Sequence, residues 1–179
     1  MSLSLDAGDV FKMAVRIETQ AAEFFAALAR SVESPVIRKT LLELAGMEAD
    51  HEKTFQGMAE LAAKGKPPLG KQAQRYARMV AMMGVDVLGE LSQSFTGGES
   101  VEQVLAEAIE FEKTTIVFFL GMREMVADKV ERAHIDAIIK EELGHILKLS
   151  GYFVPALGRL PSTPAQAPRS PLHGQADVH

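Results

Sequence analysis

A triplet of two glutamates and one histidine occurs twice in this chain with identical spacing. Each triplet is a glutamate, a second glutamate 30 residues later and a histidine three residues after that. The first is Glu18, Glu48 and His51, and the second, 94 residues further along, is Glu112, Glu142 and His145. Four carboxylates and two imidazoles in this arrangement hold a pair of metal ions inside some four-helix bundles. The spacing therefore predicts a dinuclear metal site.

The residues around these side chains predict that they face the protein core. Residues three apart on a helix lie on one face, so Glu48 and His51 point the same way, and so do Glu142 and His145. Each glutamate also lies in an apolar stripe at helical spacing. The stripes contain Ala14 and Phe25, Leu44 and Phe55, Ala108 and Phe119, and Ile138 and Leu149.

Four inward-facing carboxylates need a compensating charge. Burying one unpaired carboxylate costs several kcal/mol, and a whole domain is stabilised by only about 5–15 kcal/mol. Two divalent cations would balance the four negative charges. Mixed carboxylate and imidazole ligands suit Fe(II), Mn(II) or Zn(II), and the lack of thiolate argues against Cu(I). Because Glu48 and Glu142 share helices with the histidines, we expect them to bridge the metals, with Glu18 and Glu112 as terminal ligands.

Other acidic residues match the pattern less well. A Glu-x-x-His pattern that occurs without a repeat equivalent is a weak signal. Glu131 and His134 form such a pattern, and the positions 94 residues earlier hold Ile37 and Thr40, which cannot act as an equivalent pair. We interpret that pair as an exposed helix start. Five further glutamates are predicted to face solvent or to support the ligands from outside: Glu23, Glu43, Glu52, Glu110 and Glu141.

Composition excludes several classes of protein. The 179 residues are expected to form one domain. The net charge of −5 gives no case for nucleic-acid binding. The absence of cysteine excludes disulfides, Fe(Cys)4 centres and iron–sulfur clusters within this chain. The sequence has neither a signal-peptide pattern nor an apolar run of membrane-spanning length. We therefore expect a cytoplasmic protein with no membrane partner.

Helical periodicity predicts an all-α fold. Helices are predicted at 9–30, 35–63, 101–126 and 129–153, with caps at Ser34, Ser100 and Asp128. Two helical hairpins result, and a crossover at 64–98 connects them. Its methionine-rich part, 72–95, is predicted to form one kinked or two short helices. Residues 1–153 are thus the bundle domain. Residues 154–179, with five of the eight prolines, are predicted to be a disordered tail.

The chain resembles the rubrerythrin-like branch of the ferritin-like superfamily. The segments that carry the resemblance are AVRIETQAAEFFAALA, LLELAGMEADHEKTF, AEAIEFEKTTIVFFLGM and IIKEELGHILKL, within residues 9–153. It implies a ferritin-like four-helix bundle and a non-haem di-iron centre that reacts with hydrogen peroxide or dioxygen, often in a homodimer. It also implies that the metal ligands are Glu18, Glu48, His51, Glu112, Glu142 and His145.

Two departures from the family pattern qualify this resemblance. Rubrerythrins append a rubredoxin domain whose cysteines deliver electrons, whereas here only the proline-rich segment follows the bundle. Electrons would then come from a separate donor protein or from Fe(II) itself. Rubrerythrins also carry a further glutamate one turn after the ligand of the third helix, and this chain has Thr115 there.

Three functions remain open from the sequence. The first is a di-iron oxidoreductase, a peroxidase or oxidase that takes electrons from a partner. The second is a ferroxidase or an iron-handling protein, for storage or transport, without a dedicated reductant. The third is a structural bundle that its metals only hold together, in which Zn(II) would replace iron without consequence.

Overall fold

Four helices make up the described part of the chain. The structure, a computed structural model, describes residues 6–63, 74–75 and 99–157, with side chains as far as residue 152. The helices are α1 (Ala7–Ser31), α2 (Pro35–Ala62), α3 (Val101–Met125) and α4 (Lys129–Leu157). These ranges contain no strand, and the predicted all-α bundle of two hairpins is confirmed.

Two predicted segments fall largely outside the described residues. Of the methionine-rich segment 72–95, only residues 74–75 are described, and they are helical. The predicted disordered tail lies beyond the described range from residue 158 onward. Its first residues, 154–157, belong to α4, so this helix ends four residues later than predicted. The prediction ends the helix before Pro155, because a proline lacks one backbone hydrogen bond and its ring crowds the carbonyl four residues earlier, but the structure continues α4 through this residue.

Capping side chains set the helix starts. The Asp6 carboxylate accepts a hydrogen bond from the backbone N–H of Asp9 at 2.9 Å and begins α1 two residues earlier than predicted. Ser34 and Ser100 cap α2 and α3, and the Asp128 carboxylate accepts from two backbone N–H groups at the start of α4. These three predicted caps are confirmed. Each satisfies donors that the first helical turn leaves free.

The two hairpin turns repeat one contact. The Arg38 guanidinium donates to the Val32 carbonyl at 2.7 Å, and the Arg132 guanidinium donates to the Val126 carbonyl at 2.5 Å. The second donor and acceptor both lie 94 residues after the first, which is the interval between the two triplets. The hairpins are therefore copies of one design, and equivalent side chains can be compared directly.

Aromatic side chains connect the hairpins across the core. The rings of Phe24 on α1 and Phe111 on α3 stack at 4.4 Å, and those of Phe55 on α2 and Phe119 on α3 lie 5.1 Å apart. All four are buried. Burying one such side chain contributes about 1.5–3 kcal/mol. Because Phe111 precedes Glu112 in α3, this packing also sets the position of the candidate ligand.

Candidate metal centre

The six side chains of the two triplets lie inside the bundle. The exposed fraction is 0–1% for the four glutamates, 2% for His145 and 5% for His51. Each comes from the middle of its helix: Glu18 from α1, Glu48 and His51 from α2, Glu112 from α3, and Glu142 and His145 from α4. The apolar stripes that flank them are buried as well, which explains why the glutamates point inward.

The ligand atoms form two overlapping groups. One group contains Glu18, Glu48, His51 and Glu142, and the other contains Glu48, Glu112, Glu142 and His145. Within each group the candidate ligand atoms lie within 4.8 Å of one another. Glu48 and Glu142 belong to both groups, which is the placement that a bridging carboxylate requires. Two adjacent ions would each have three carboxylates and one imidazole within reach.

Each hairpin contributes to both groups. The Nδ1 atom of His51 lies 3.1 Å from Oε1 of Glu142, and the Nδ1 atom of His145 lies 3.0 Å from Oε1 of Glu48. These two contacts are equivalents under the 94-residue repeat. The imidazole rings are nearly parallel, with centroids 6.0 Å apart and an angle of 18° between their planes. The candidate site therefore has approximate two-fold symmetry, and neither hairpin forms it alone.

Most of the buried carboxylate oxygens have no hydrogen bond. Both oxygens of Glu18 and of Glu142, and one each of Glu48 and Glu112, are buried without a hydrogen-bond partner in the described part of the chain. The histidine Nδ1 atoms approach several of these oxygens at once, but each nitrogen carries at most one proton. Buried polar atoms are normally satisfied. A cluster of unsatisfied carboxylate oxygens beside imidazole nitrogens fits a pair of divalent cations, since oxygen and nitrogen are the ligand atoms that Fe(II), Mn(II) and Zn(II) accept.

Without metal, burial favours neutral carboxyl groups on the two outer glutamates. Burial raises the pKa of Glu18 well above its usual range, and repulsion from Glu142 and Glu48 raises it further. Burial likewise raises the pKa of Glu112 well above its usual range, and its contact with His145 opposes this only in part. In the metal-free site the raised pKa values favour the protonated, neutral form of both carboxyl groups.

The histidines respond in the opposite sense from ordinary buried imidazoles. Burial alone would lower the pKa of His51, but the nearby Glu142 and Glu48 carboxylates raise it to about 11. Burial would likewise lower the pKa of His145, but the nearby Glu112 and Glu142 carboxylates raise it to about 12. Burial would raise the pKa of Glu142, yet the close approach of the His145 and His51 imidazoles lowers it to about 2. Protonated imidazoles thus supply the positive charge in the metal-free site.

One residue outside the six touches the site. Oε2 of Glu141 lies 3.0 Å from Nε2 of His51, on the side of the ring away from the other carboxylates. The side chain of Glu141 is 52% exposed, so it links the buried imidazole to the surface. The sequence places Glu141 in a group of five glutamates and does not distinguish it from the others, because its repeat equivalent is Met47, which has no carboxylate.

The remaining glutamates are predicted to lie away from the core, and the structure contradicts this prediction for one of them. Glu23 is exposed, and Glu43 and Glu110 pair with lysines on the outside of the bundle. The predicted exposed start of α4 is wrong for Glu131, whose side chain is buried, although His134 is exposed. The repeat contained the signal, because the equivalent of Glu131 is Ile37, which is also buried. Glu52 is half-buried and bonds to Gln56 on its own helix.

Comparisons with known proteins agree with this fold. The family model described as Rubrerythrin matches residues 9–151, a range that contains all six candidate ligands. A crystal structure from Thermotoga maritima, described as a ferritin-like diiron-carboxylate protein, is 20% identical and has a TM-score of 0.63. The similarity covers 87% of this chain and 99% of that chain. At this identity it establishes the ferritin-like fold alone. No curated protein matches the chain.

The described helices do not meet the requirements for a membrane span. None of them combines the length and the apolar character that crossing a bilayer requires.

Proposed function

Because the chain belongs to the rubrerythrin family, we propose that it is a non-haem di-iron oxidoreductase that reduces hydrogen peroxide or dioxygen with electrons from an external donor. The observation that carries this proposal is the cluster of buried carboxylate oxygens without hydrogen bonds, next to two imidazole nitrogens. The proposed iron ligands are Glu18, Glu48, His51, Glu112, Glu142 and His145.

The two groups of side chains suggest how two ions would be held. One ion would be bound by Glu18 and His51, the other by Glu112 and His145, and Glu48 and Glu142 would bridge them. Four carboxylates would then balance two divalent cations. When bound, two ferrous ions supply the two electrons that, with two protons, convert one hydrogen peroxide molecule into two water molecules.

The surrounding side chains would restrict access to the site. Phe25 on α1 and Phe119 on α3 are fully buried and lie in the same helix stripes as Glu18 and Glu112. Apolar walls of this kind would exclude bulk water and large molecules from the site. The imidazoles hold their Nδ1 atoms toward the carboxylates, so both histidines are oriented before any ion binds.

The electron donor is proposed to be a separate protein. The chain has no cysteine and cannot itself hold the Fe(Cys)4 centre that delivers electrons in rubrerythrins with a rubredoxin domain. Reduction of the diferric site between turnovers would therefore require docking of a redox partner, or exchange with fresh Fe(II).

A ferroxidase or iron-handling protein is the second candidate, and Thr115 favours it. This residue is buried one turn after Glu112, and its hydroxyl donates to the backbone carbonyl of Phe111 at 3.2 Å. It offers no further carboxylate at the position where rubrerythrins have one. The remaining set of four glutamates and two histidines suits Fe(II) oxidation without a dedicated reductant.

Apolar residues on the outer surface support a homodimer as part of this proposal. Val117 on α3 and Leu147 on α4 are 67% and 74% exposed, and Leu143 is about half exposed. Leu143 and Leu147 are four residues apart and lie on one face of α4, and contiguous exposed apolar side chains are typical of interaction surfaces. We also propose a cytoplasmic location. Light scattering of the purified protein would measure the subunit number.

Anaerobic loading with Fe(II) tests the proposed function. Metal-free protein should take up two Fe(II) per chain and, on addition of hydrogen peroxide, develop a diferric absorption band that saturates at this ratio. Turnover of peroxide in the presence of a redox protein and reductant would identify a peroxidase. Uptake far beyond two irons per chain would instead identify an iron-handling protein.

The matched control is Glu48→Ala, which removes one proposed bridging ligand. It should lose the absorption band while keeping its helical circular dichroism. A wild-type spectrum that peroxide does not change would contradict the oxidoreductase proposal. A band that is equally strong in Glu48→Ala would contradict the proposed ligand set.

A further inference from the structure

The two imidazoles differ in what faces their outer nitrogen. Nε2 of His51 lies 3.0 Å from Oε2 of Glu141. Nε2 of His145 is buried and has no hydrogen-bond partner among the residues that the structure describes. Each Nδ1 atom contacts the equivalent glutamate of the opposite hairpin, at 3.1 Å for His51 and 3.0 Å for His145, so the difference at Nε2 departs from the approximate symmetry of the site.

The repeat identifies the residue that replaces the missing partner. Glu141 on α4 contacts His51 on α2, so the equivalent position for His145 is residue 47 on α2. That residue is Met47, whose thioether is at most a weak acceptor. Position 141 has a carboxylate and position 47 has a thioether. This one difference explains why Nε2 of His51 has a hydrogen-bond partner and Nε2 of His145 has none among the described residues.

A carboxylate in this place affects metal binding directly. An imidazole that binds a metal through Nδ1 keeps its proton on Nε2, and a carboxylate that accepts this proton's hydrogen bond holds the ring in the binding tautomer and orientation. It also makes the nitrogen ligand more basic. Loss of such a partner commonly weakens metal affinity by about 10- to 100-fold. The imidazole of His145 has no such help.

We propose that Glu141 is a positioning residue that makes the two metal positions unequal, so that the position at Glu18 and His51 fills first and the position at Glu112 and His145 fills second and more weakly. This inference rests on the proposed function, since it presupposes a dinuclear site. Beyond the proposed function, it states which of the two metal positions is occupied first. It attributes this order to Glu141, which is not one of the six proposed ligands.

Titration of the metal-free, full-length protein with Co(II) tests the order of filling. Visible absorption reports coordination, and equilibrium dialysis gives the two affinities. Wild-type protein should bind two Co(II) in separate steps, the first about 10-fold or more tighter than the second. Glu141→Ala should weaken the first step by about 10- to 100-fold and leave the second unchanged. Glu141→Gln should recover part of this loss, because its amide oxygen still accepts from Nε2–H.

The reciprocal variant adds the missing carboxylate. Met47→Glu should tighten the second step by about 10-fold or more and leave the first unchanged. Because this variant gains affinity, poor folding cannot imitate the result. Leu42→Glu, which adds the same charge at an exposed apolar position of α2, should leave both steps unchanged. Glu110→Ala, which removes a carboxylate of similar exposure from α3, is the control for Glu141→Ala.

Two ligand variants assign the steps to positions. Glu112→Ala should retain the tight step, and Glu18→Ala should lose it. Two equal steps in the wild type would overturn the inference while leaving the dinuclear site intact. The inference would also be overturned if Glu141→Ala weakened both binding steps equally, or weakened neither of them. Failure of the wild type to bind any Co(II) would instead contradict the proposed function itself.

Discussion

The Nδ1 atom of His145 lies 3.0 Å from Oε1 of Glu48, which belongs to the other helical hairpin. His145 also lies within 3.1 Å of Glu112 and Glu142, which belong to its own hairpin. One imidazole therefore meets carboxylates from three helices. Any cation held here would connect the two hairpins, so binding and the docking of the hairpins should be coupled.

Metal binding should raise the thermal stability of the protein. A ligand that binds only the folded state at 100 times its dissociation constant adds about 2.7 kcal/mol. For a domain of this size, that corresponds to an increase in Tm of about 5–10 °C. Differential scanning calorimetry of metal-free protein with and without added Mn(II) would measure it. An unchanged Tm at saturating Mn(II) would contradict binding at this site.

Replacing an outer carboxylate should stabilise the metal-free protein and abolish binding at one position. Burial raises the pKa of Glu18, so the folded state must either retain a proton or hold an unpaired charge. Glu18→Met removes its unsatisfied buried oxygens, and a buried polar group without a hydrogen bond costs about 1–3 kcal/mol. Urea unfolding at pH 8 in the presence of chelator would measure the gain.

The matched control for Glu18→Met is Glu23→Met, on the same helix but exposed. Its free energy of unfolding should change by no more than about 0.5 kcal/mol. A Glu18→Met variant that is less stable than the wild type without metal would show that Glu18 already has a favourable partner, contrary to its unsatisfied oxygens.

The metal-free protein should lose stability as pH rises above the acidic range. The pKa values of His51 and His145 are raised to about 11 and 12, so their stabilising effect is complete below about pH 6.5 and is lost as pH rises through these values. The pKa values of Glu18 and Glu112 are also raised, which acts in the same direction from about pH 4.5 upward. Chelator-treated protein should therefore unfold at lower urea concentration at pH 9 than at pH 6.

At low pH the stability of the metal-free protein should instead decrease as the pH falls. The pKa of Glu142 is lowered to about 2, so its contribution to stability is present above about pH 4.5 and is lost as pH falls toward 2. Metal competes with the protons on both histidines, so metal affinity should increase with pH. Metal-loaded protein should therefore be as stable toward urea at pH 9 as at pH 6. Identical pH profiles with and without metal would argue against ligation by the histidines.

The aromatic contact between the hairpins should be a major source of stability. Phe111 stacks on Phe24 at 4.4 Å and is 1% exposed. Phe111→Ala should cost about 3–5 kcal/mol, because it removes a large side chain and leaves a cavity. Chemical denaturation would measure this loss. Lys113→Ala on the same helix replaces an exposed side chain and should change the free energy of unfolding by no more than about 0.5 kcal/mol.

Most of the fold and the six candidate ligands could be predicted from the sequence for two physical reasons. Helical periodicity places Glu48 and His51 on one face whatever the surroundings, and the same holds for Glu142 and His145. The starts of the helices depend on local hydrogen bonds of Ser34, Ser100 and Asp128 to backbone N–H groups within three residues. Interactions within one turn of helix can be read directly from spacing.

Contacts between helices depended on the tertiary structure. The bond between Glu141 and His51 joins residues 90 positions apart, and its distance depends on how α2 and α4 pack. The same packing decides that Nδ1 of each histidine faces the buried glutamates, and that Glu131 is buried. The sequence alone determined which residues share a helix face. Only the packed bundle decided which faces meet, because side-chain orientation across an interface follows from the positions of both helices.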